Sequence, residues 1–171
     1  DKKALLENIG HDGSFLDSAM GRLVNPGHSL ECAWFLLQIN DLTDEELRKV
    51  ENIARWSFEL GWDKERGGLN YFVDIENKPV EQLEAKLKLW WPHSEALIIF
   101  LQLYLKRGKK EDWQIYEKVF DFTRKHFIID EEEWIGYLNY DNTPLLKIKG
   151  NLFKGPFHIP RMFLEGIELF S

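Results

Sequence analysis

The sequence predicts an all-α fold built from paired inner and outer helices, arranged as α/α toroid repeats. Three observations carry this. His28, His93 and His158 each follow a proline closely and stand 65 residues apart. A fixed period means a repeated structural unit. Each of these histidines also opens a stretch that is apolar nearly all round, and a helix apolar on every side is a buried one. Between the units lie short glycine-marked extended stretches, which read as β-hairpins.

The first inner helix is expected from His28 to about Ile39, with Leu30, Ala33, Trp34, Phe35, Leu36 and Leu37. The second runs from Pro92 to about Arg107, through Leu97, Ile98, Ile99, Phe100, Leu101, Leu103, Tyr104 and Leu105. The third runs from Pro160 to the end, with Met162, Phe163, Leu164, Ile167 and Leu169. Proline suits a first helical turn, where its missing N–H is no loss. An amphipathic outer helix follows each of the first two. One spans about Thr43 to Leu60, with Leu47, Val50, Ala54 and Phe58 at helical spacing. Thr43 and Glu46 form a capping-box pattern at its start. The other spans about Asp112 to Phe127, with Trp113, Tyr116, Val119, Phe120 and Thr123. Hairpins are expected from Gly68 to Pro79 and from Gly136 to Pro144.

The 171 residues suffice for one domain with a real core. Aromatics make up 14% of the chain, too many for a disordered one. The net charge is −7, and the one basic run, Lys106 to Lys110, reads as the end of a helix. Nucleic-acid binding is therefore disfavoured. A single cysteine, Cys32, excludes an intrachain disulfide and fits a reducing compartment, so a cytoplasmic location is expected. No apolar run is long enough to span a bilayer.

The candidate site gathers at the inner-helix starts. His28 and Glu31 are three apart and share a helix face. His93 and Glu95 flank Ser94, with Trp90 and Trp91 just before them. His158 and Arg161 are again three apart. Histidines, carboxylates, an arginine and paired indoles around one cavity describe a sugar site. Indole faces stack on sugar C–H surfaces, and charged groups bond the hydroxyls. A zinc site from His28, His93 and His158 is conceivable by residue type alone. A glycosidase would want two carboxylates across a scissile bond, whereas histidines dominate here.

Three segments resemble the N-acylglucosamine 2-epimerase family, also called renin-binding proteins. They are Asn25-Pro26-Gly27-His28-Ser29-Leu30-Glu31, Lys88-Leu89-Trp90-Trp91-Pro92-His93-Ser94-Glu95-Ala96 and Lys154-Gly155-Pro156-Phe157-His158-Ile159-Pro160-Arg161. The resemblance implies an (α/α)6 barrel that interconverts N-acetylglucosamine and N-acetylmannosamine, or a related aldose, by inverting C2. It implies no metal and no required cofactor, with activation by a nucleotide such as ATP in some members. His28 and His158 match the family's catalytic pair. Inversion needs proton loss on one face of C2 and return on the other, and imidazole suits both tasks near neutral pH. Glu31 is expected to orient His28 or bind a hydroxyl, and Arg161 to stabilise the enediolate oxygen. His93 and Glu95, with Trp90 and Trp91, are expected to hold the sugar. An aldose–ketose isomerase on the same scaffold, or a non-catalytic protein-interaction module, are the alternatives.

Six units of this period need about 390 residues. Residues 1–171 are therefore expected to form the C-terminal half of the barrel domain. The open flanks of that half are expected at Trp34, Phe35 and Leu37 on one side, and at Phe163, Ile167 and Phe170 on the other. A homodimer partner, or the missing N-terminal half, would cover them.

Overall fold

The computed structural model describes residues 2–129 and 133–170. Strand β1, Leu23–Val24, leads into inner helix α1, Pro26–Leu37, and outer helix α2, Asp44–Gly61. Strand β2, Val73–Asp74, closes this unit by pairing antiparallel with β1. The second unit repeats the order. Strand β3, Lys88–Leu89, leads into inner helix α3, Trp90–Arg107, and outer helix α4, Lys110–His126. A small ribbon, β4 (Ile128–Ile129) with β5 (Glu133–Trp134), follows. Strand β6, Tyr137–Leu138, then pairs with β3 as β2 does with β1, and β7, Pro144–Leu146, adds to its far side. Inner helix α5, His158–Phe170, begins a third unit.

The helices pack as the repeat requires. Inner helix α3 lies between α1 and α5, while α2 backs α1 and α4 backs α3. The core runs through α1 and α3, where Leu30, Ala33, Ile99, Phe100 and Leu103 are sealed from solvent. Full burial of such side chains contributes about 2 kcal/mol each. Thr43 caps α2, accepting from the Glu46 N–H while the Glu46 carboxylate accepts from the Thr43 N–H, so the capping box is formed. Helix α3 ends where Gly108 adopts a left-handed φ of 67°, a conformation glycine enters without a Cβ penalty.

Two expectations need correction. The stretch from Gly68 to Pro79 is not a hairpin on itself. Its strand, β2, pairs with β1 some 50 residues earlier, whereas the Gly136–Pro144 stretch does fold back as β6–β7. The third inner helix is not buried on every side as its apolar run suggests. None of its residues is buried, and Ile167 and Phe170 are 67% and 70% exposed, which is the open flank expected there, because its main neighbour is α3. The opposite flank is better closed than expected: Trp34 and Leu37 are buried, and only Phe35 and Ile39 are open. Among the described residues, no helix is long and apolar enough to cross a membrane.

Candidate active site

The motif around His28 is a helix start in which each residue has a task. The Asn25 side chain accepts from the His28 N–H and caps α1, and Pro26 occupies the first helical position. Gly27 lies against the Trp91 indole: a Cβ there would meet Trp91 Cη2 at 2.6 Å. A bare α-carbon is what lets Trp91 come up beside His28. The His28 and Trp91 rings lie 5.2 Å apart between centroids, and those of Trp91 and His158 lie 5.3 Å apart. One indole therefore holds both imidazoles, and no more than the sum of those two spacings separates them.

The strand leading to Trp91 is pinned by a buried lysine. Lys88 reaches Asp63 at 3.0 Å, the Tyr140 carbonyl at 3.1 Å and Asn142 Oδ1 at 2.6 Å. Burial lowers its pKa, and the Asp63 contact works against that shift. The three bonds tie the turn after α2 to the β6–β7 hairpin and fix the floor beneath Trp90 and Trp91.

His28 and His158 line one cavity of about 550 Å³, together with Glu31, Tyr71, Glu84, Trp90, Trp91 and Tyr137. That lies within the ~300–1,000 Å³ of small-molecule sites. Two larger hollows exist: an apolar groove of about 710 Å³ along α5 and a polar cleft of about 1040 Å³ near Asp63 and Lys78. Neither brings two imidazoles together, so the smaller cavity is the candidate site.

Each imidazole is tethered at Nδ1 by a carboxylate. His28 Nδ1 lies 3.0 and 3.2 Å from the two Glu7 oxygens, and His158 Nδ1 lies 2.7 Å from Glu95 Oε1. A carboxylate only accepts, so Nδ1–H donates in both rings and Nε2 is left for the substrate. The Glu7 bond holds the His28 pKa above the usual imidazole range, against partial burial. Glu95 is fully buried; its Oε2 accepts from the Trp34 indole N–H and its Oε1 also meets Arg161 Nη2 at 2.7 Å. The same Nη2 reaches Glu31 Oε1 at 2.7 Å. Glu31, Glu95 and His158 thus bring potential metal-ligating atoms within 4.8 Å of one another. The Arg161 guanidinium stands on both carboxylates and supplies the positive charge there. Aromatic faces of Phe157 and Trp34 flank it at 4.3 and 4.9 Å.

Four expectations about this site change. His93 does not touch the cavity. It is wholly buried on the outer side of α3, its ring stacked on Phe122 at 5.1 Å. Its Nδ1–H donates to the Leu89 carbonyl at 2.7 Å and its Nε2 accepts from the Leu69 N–H at 2.9 Å. Burial pushes its pKa down to about 3, so it stays neutral. The period fixes a position in the chain, but not the side of the helix that a residue faces. Glu95 is not a sugar clamp either, since its carboxylate is taken up by His158, Arg161 and Trp34. Arg161 is a strut between Glu31 and Glu95 rather than part of the cavity wall. Glu31 does line the cavity, but its partner is Arg161 and not His28. Trp90 and Trp91 both line it, with Trp90 edge-on to Tyr137 at 5.4 Å.

Glu7, Tyr71 and Glu84 were missed from sequence. Glu7 sits in a segment without motif or period, and nothing local announces it. Tyr71 belongs to the glycine-marked stretch that was read only as a hairpin.

Comparison with known proteins gives the family and the fold. A family model described as N-acylglucosamine 2-epimerase (GlcNAc 2-epimerase) matches residues 4–156. The N-acylglucosamine 2-epimerase of Mus musculus is 44% identical over 165 residues, covering 94% of this chain and 39% of its own. A cellobiose 2-epimerase of Dictyoglomus turgidum is 26% identical over 172 residues, covering 90% of this chain and 40% of its own. Among solved structures, the cellobiose 2-epimerase from Bacillus thermoamylovorans superposes with a TM-score of 0.78 at 23% identity, over 98% of this chain and 42% of that one. A D-mannose isomerase superposes with a TM-score of 0.76 at 21% identity, over 85% and 37%. At these identities the structures speak for the fold alone, which is about half of an (α/α)6 barrel. The chain spans about two fifths of the length of the curated relatives it matches.

Proposed function

This chain belongs to the N-acylglucosamine 2-epimerase family, and on that premise we propose that its cavity is the two-histidine centre of a sugar 2-epimerase. The substrates are N-acetylglucosamine and N-acetylmannosamine in their open-chain forms. The carrying observation is that His28 and His158 share one cavity, each with Nδ1 tied to a carboxylate and Nε2 open.

The chemistry follows from that arrangement. In the open-chain aldose the C1 carbonyl acidifies the C2 hydrogen. A neutral imidazole removes that proton through Nε2, and the electron pair moves into C1=O to give an enolate whose C2 carries the acetamido nitrogen. The other imidazole, as imidazolium, returns a proton to C2 from the opposite face. One ring gains a proton and the other loses one, so nothing else is consumed. Carboxylate tethers favour the imidazolium each ring must become in turn and hold each in a single tautomer. The Trp91 indole offers a face for the sugar between the rings. Burial raises the Tyr71 pKa and keeps the phenol a proton donor to the enolate oxygen. Nucleotide activation, pairing as a homodimer or with an N-terminal half, and a cytoplasmic location are carried forward from the resemblance and from the lone Cys32.

The test places these residues, in place of their counterparts, in the mouse relative, whose other residues complete the barrel. The graft is incubated with N-acetylglucosamine in D₂O. Deuterium at C2 of both sugars, with N-acetylmannosamine formed, is the expected result. A ketose formed from glucose or mannose, which carry a hydroxyl at C2, in a parallel incubation would replace the epimerase with an aldose–ketose isomerase, and no exchange with any of these aldoses would leave a binding module.

A further inference from the structure

We infer that Glu7 is a positioning residue for this centre: its carboxylate fixes the His28 ring with Nε2 toward the cavity and stands against that ring whenever it carries a proton. The inference rests on the epimerase reading for its catalytic meaning and on geometry for its content. His28 is the more open of the two imidazoles, with its side chain 52% exposed against 19% for His158. A half-exposed imidazole turns freely unless something holds it. Trp91 supports one face of the ring, and Glu7 supplies the only hydrogen bond to a ring nitrogen among the described residues, at Nδ1.

Glu7 is itself held. Its N–H donates to the Leu23 carbonyl at 3.0 Å, next to the strand that enters α1. Two residues earlier, the Leu5 carbonyl accepts from Ser29 Oγ at 3.4 Å. The segment before β1 is thus fastened to the helix that carries His28, and the carboxylate arrives at a fixed place. The other titratable groups around His28 are Glu31 on its own helix and Glu84, Tyr71, Tyr137 and His158 across the cavity. Among the carboxylates, Glu31 acts on His28 through space only and is engaged by Arg161, so Glu7 is the one in contact.

The consequence concerns His28 alone. In the direction in which His28 Nε2–H delivers a proton to C2, Glu7 stabilises the imidazolium that starts the turnover, and in the reverse direction it stabilises the imidazolium that His28 becomes.

The test is Glu7→Gln, which keeps the shape and removes the charge. In the chain itself, the His28 ring signal is titrated by NMR. Its midpoint is expected to fall by about half to one pH unit, a three- to tenfold loss of proton affinity, the lower figure reflecting solvent screening at a half-open site. The His126 signal, on the far side of α3, stays in place. Glu7→Asp recovers part of the shift. In the graft described above, the alkaline limb of kcat/KM for C2 exchange moves to lower pH by a similar amount, because that limb reports loss of the last proton from the pair. An unmoved His28 midpoint, all histidine signals moving together, no recovery in Glu7→Asp, or an alkaline limb that stays while the midpoint shifts would each overturn the inference. A graft with Glu7 intact that exchanges no deuterium would instead count against the epimerase reading, while the NMR titration still decides the Glu7–His28 pair.

Discussion

Acid should expose His93 as a structural residue. The ring is neutral and wholly buried, with both nitrogens bonded to backbone, and its pKa falls from 6.5 in the open chain to about 3 in the fold. A base whose folded pKa is depressed contributes stability that is present above its unfolded pKa and lost as pH falls toward the folded one. Below pH 6.5 the unfolded chain takes up a proton here that the folded chain refuses, at about 1.4 kcal/mol per pH unit. Acidification from pH 7 to about pH 5 therefore costs about 2 kcal/mol through this one residue. The figure hardly depends on where near 3 the native value lies, since at pH 5 the native ring is neutral either way. Set against a total of about 5–15 kcal/mol, that is a large share. The assay is urea unfolding at several pH values for the wild type and His93→Gln. The variant should be weaker at pH 7 by about 1–3 kcal/mol, because the Leu69 N–H and the Leu89 carbonyl lose their partner. Its stability should also fall less steeply with acid, by about 2 kcal/mol over the same window. The difference between the two curves removes His126, whose pKa burial also lowers and which titrates in both proteins. Parallel curves would refute the reasoning and return His93 to the list of possible ligands.

Other outcomes are expected from the same geometry. Glu95→Gln keeps the shape but removes the charge that holds His158 and Arg161, so C2 exchange in the graft should fall by roughly 10²-fold or more while the sugar KM changes little. An equal loss in both would make Glu95 a clamp after all. Trp91→Ala removes the face shared by both imidazoles and should lower exchange about 100-fold, with Trp91→Phe intermediate, as read by the same deuterium assay. Replacing Phe163, Ile167 and Phe170 with serine should abolish concentration-dependent association of the chain in light scattering, since these side chains of α5 are exposed. A wild type that stays monomeric at every concentration would show that this face does not drive association.

Much of the architecture was legible because helices announce themselves locally. The capping residues of α2, the proline at the start of α1 and the all-round apolar run of α3 each act within a few residues, so sequence order alone exposes them. The period supplied the long-range arrangement of α1, α3 and α5. What failed were inferences that needed to know a neighbour. An apolar helix is buried only if something covers it, and α5 lacks the outer helix that α1 and α3 each have behind them. Likewise β2 chooses β1 as its partner rather than the strand that a nearby turn would supply, because the repeat, not the turn, brings the edges together.

The same distinction governs the site. His28 and His158 are singled out by the family resemblance, and the structure brings both to one cavity. His93 shares the interval and the proline, yet its ring points toward Phe122 and Phe127 on the outer side of α3. Interval is a statement about order along the chain, whereas facing is a statement about rotation around a helix, and a turn of one position is enough to separate them. The tethers were least legible of all. Glu95 lies 63 residues from His158 and Glu7 lies 21 from His28. Neither spacing belongs to a helix, a strand or the repeat. Yet these two carboxylates decide which nitrogen of each ring is left free, so the geometry of this cavity depends on contacts that the repeat itself does not encode.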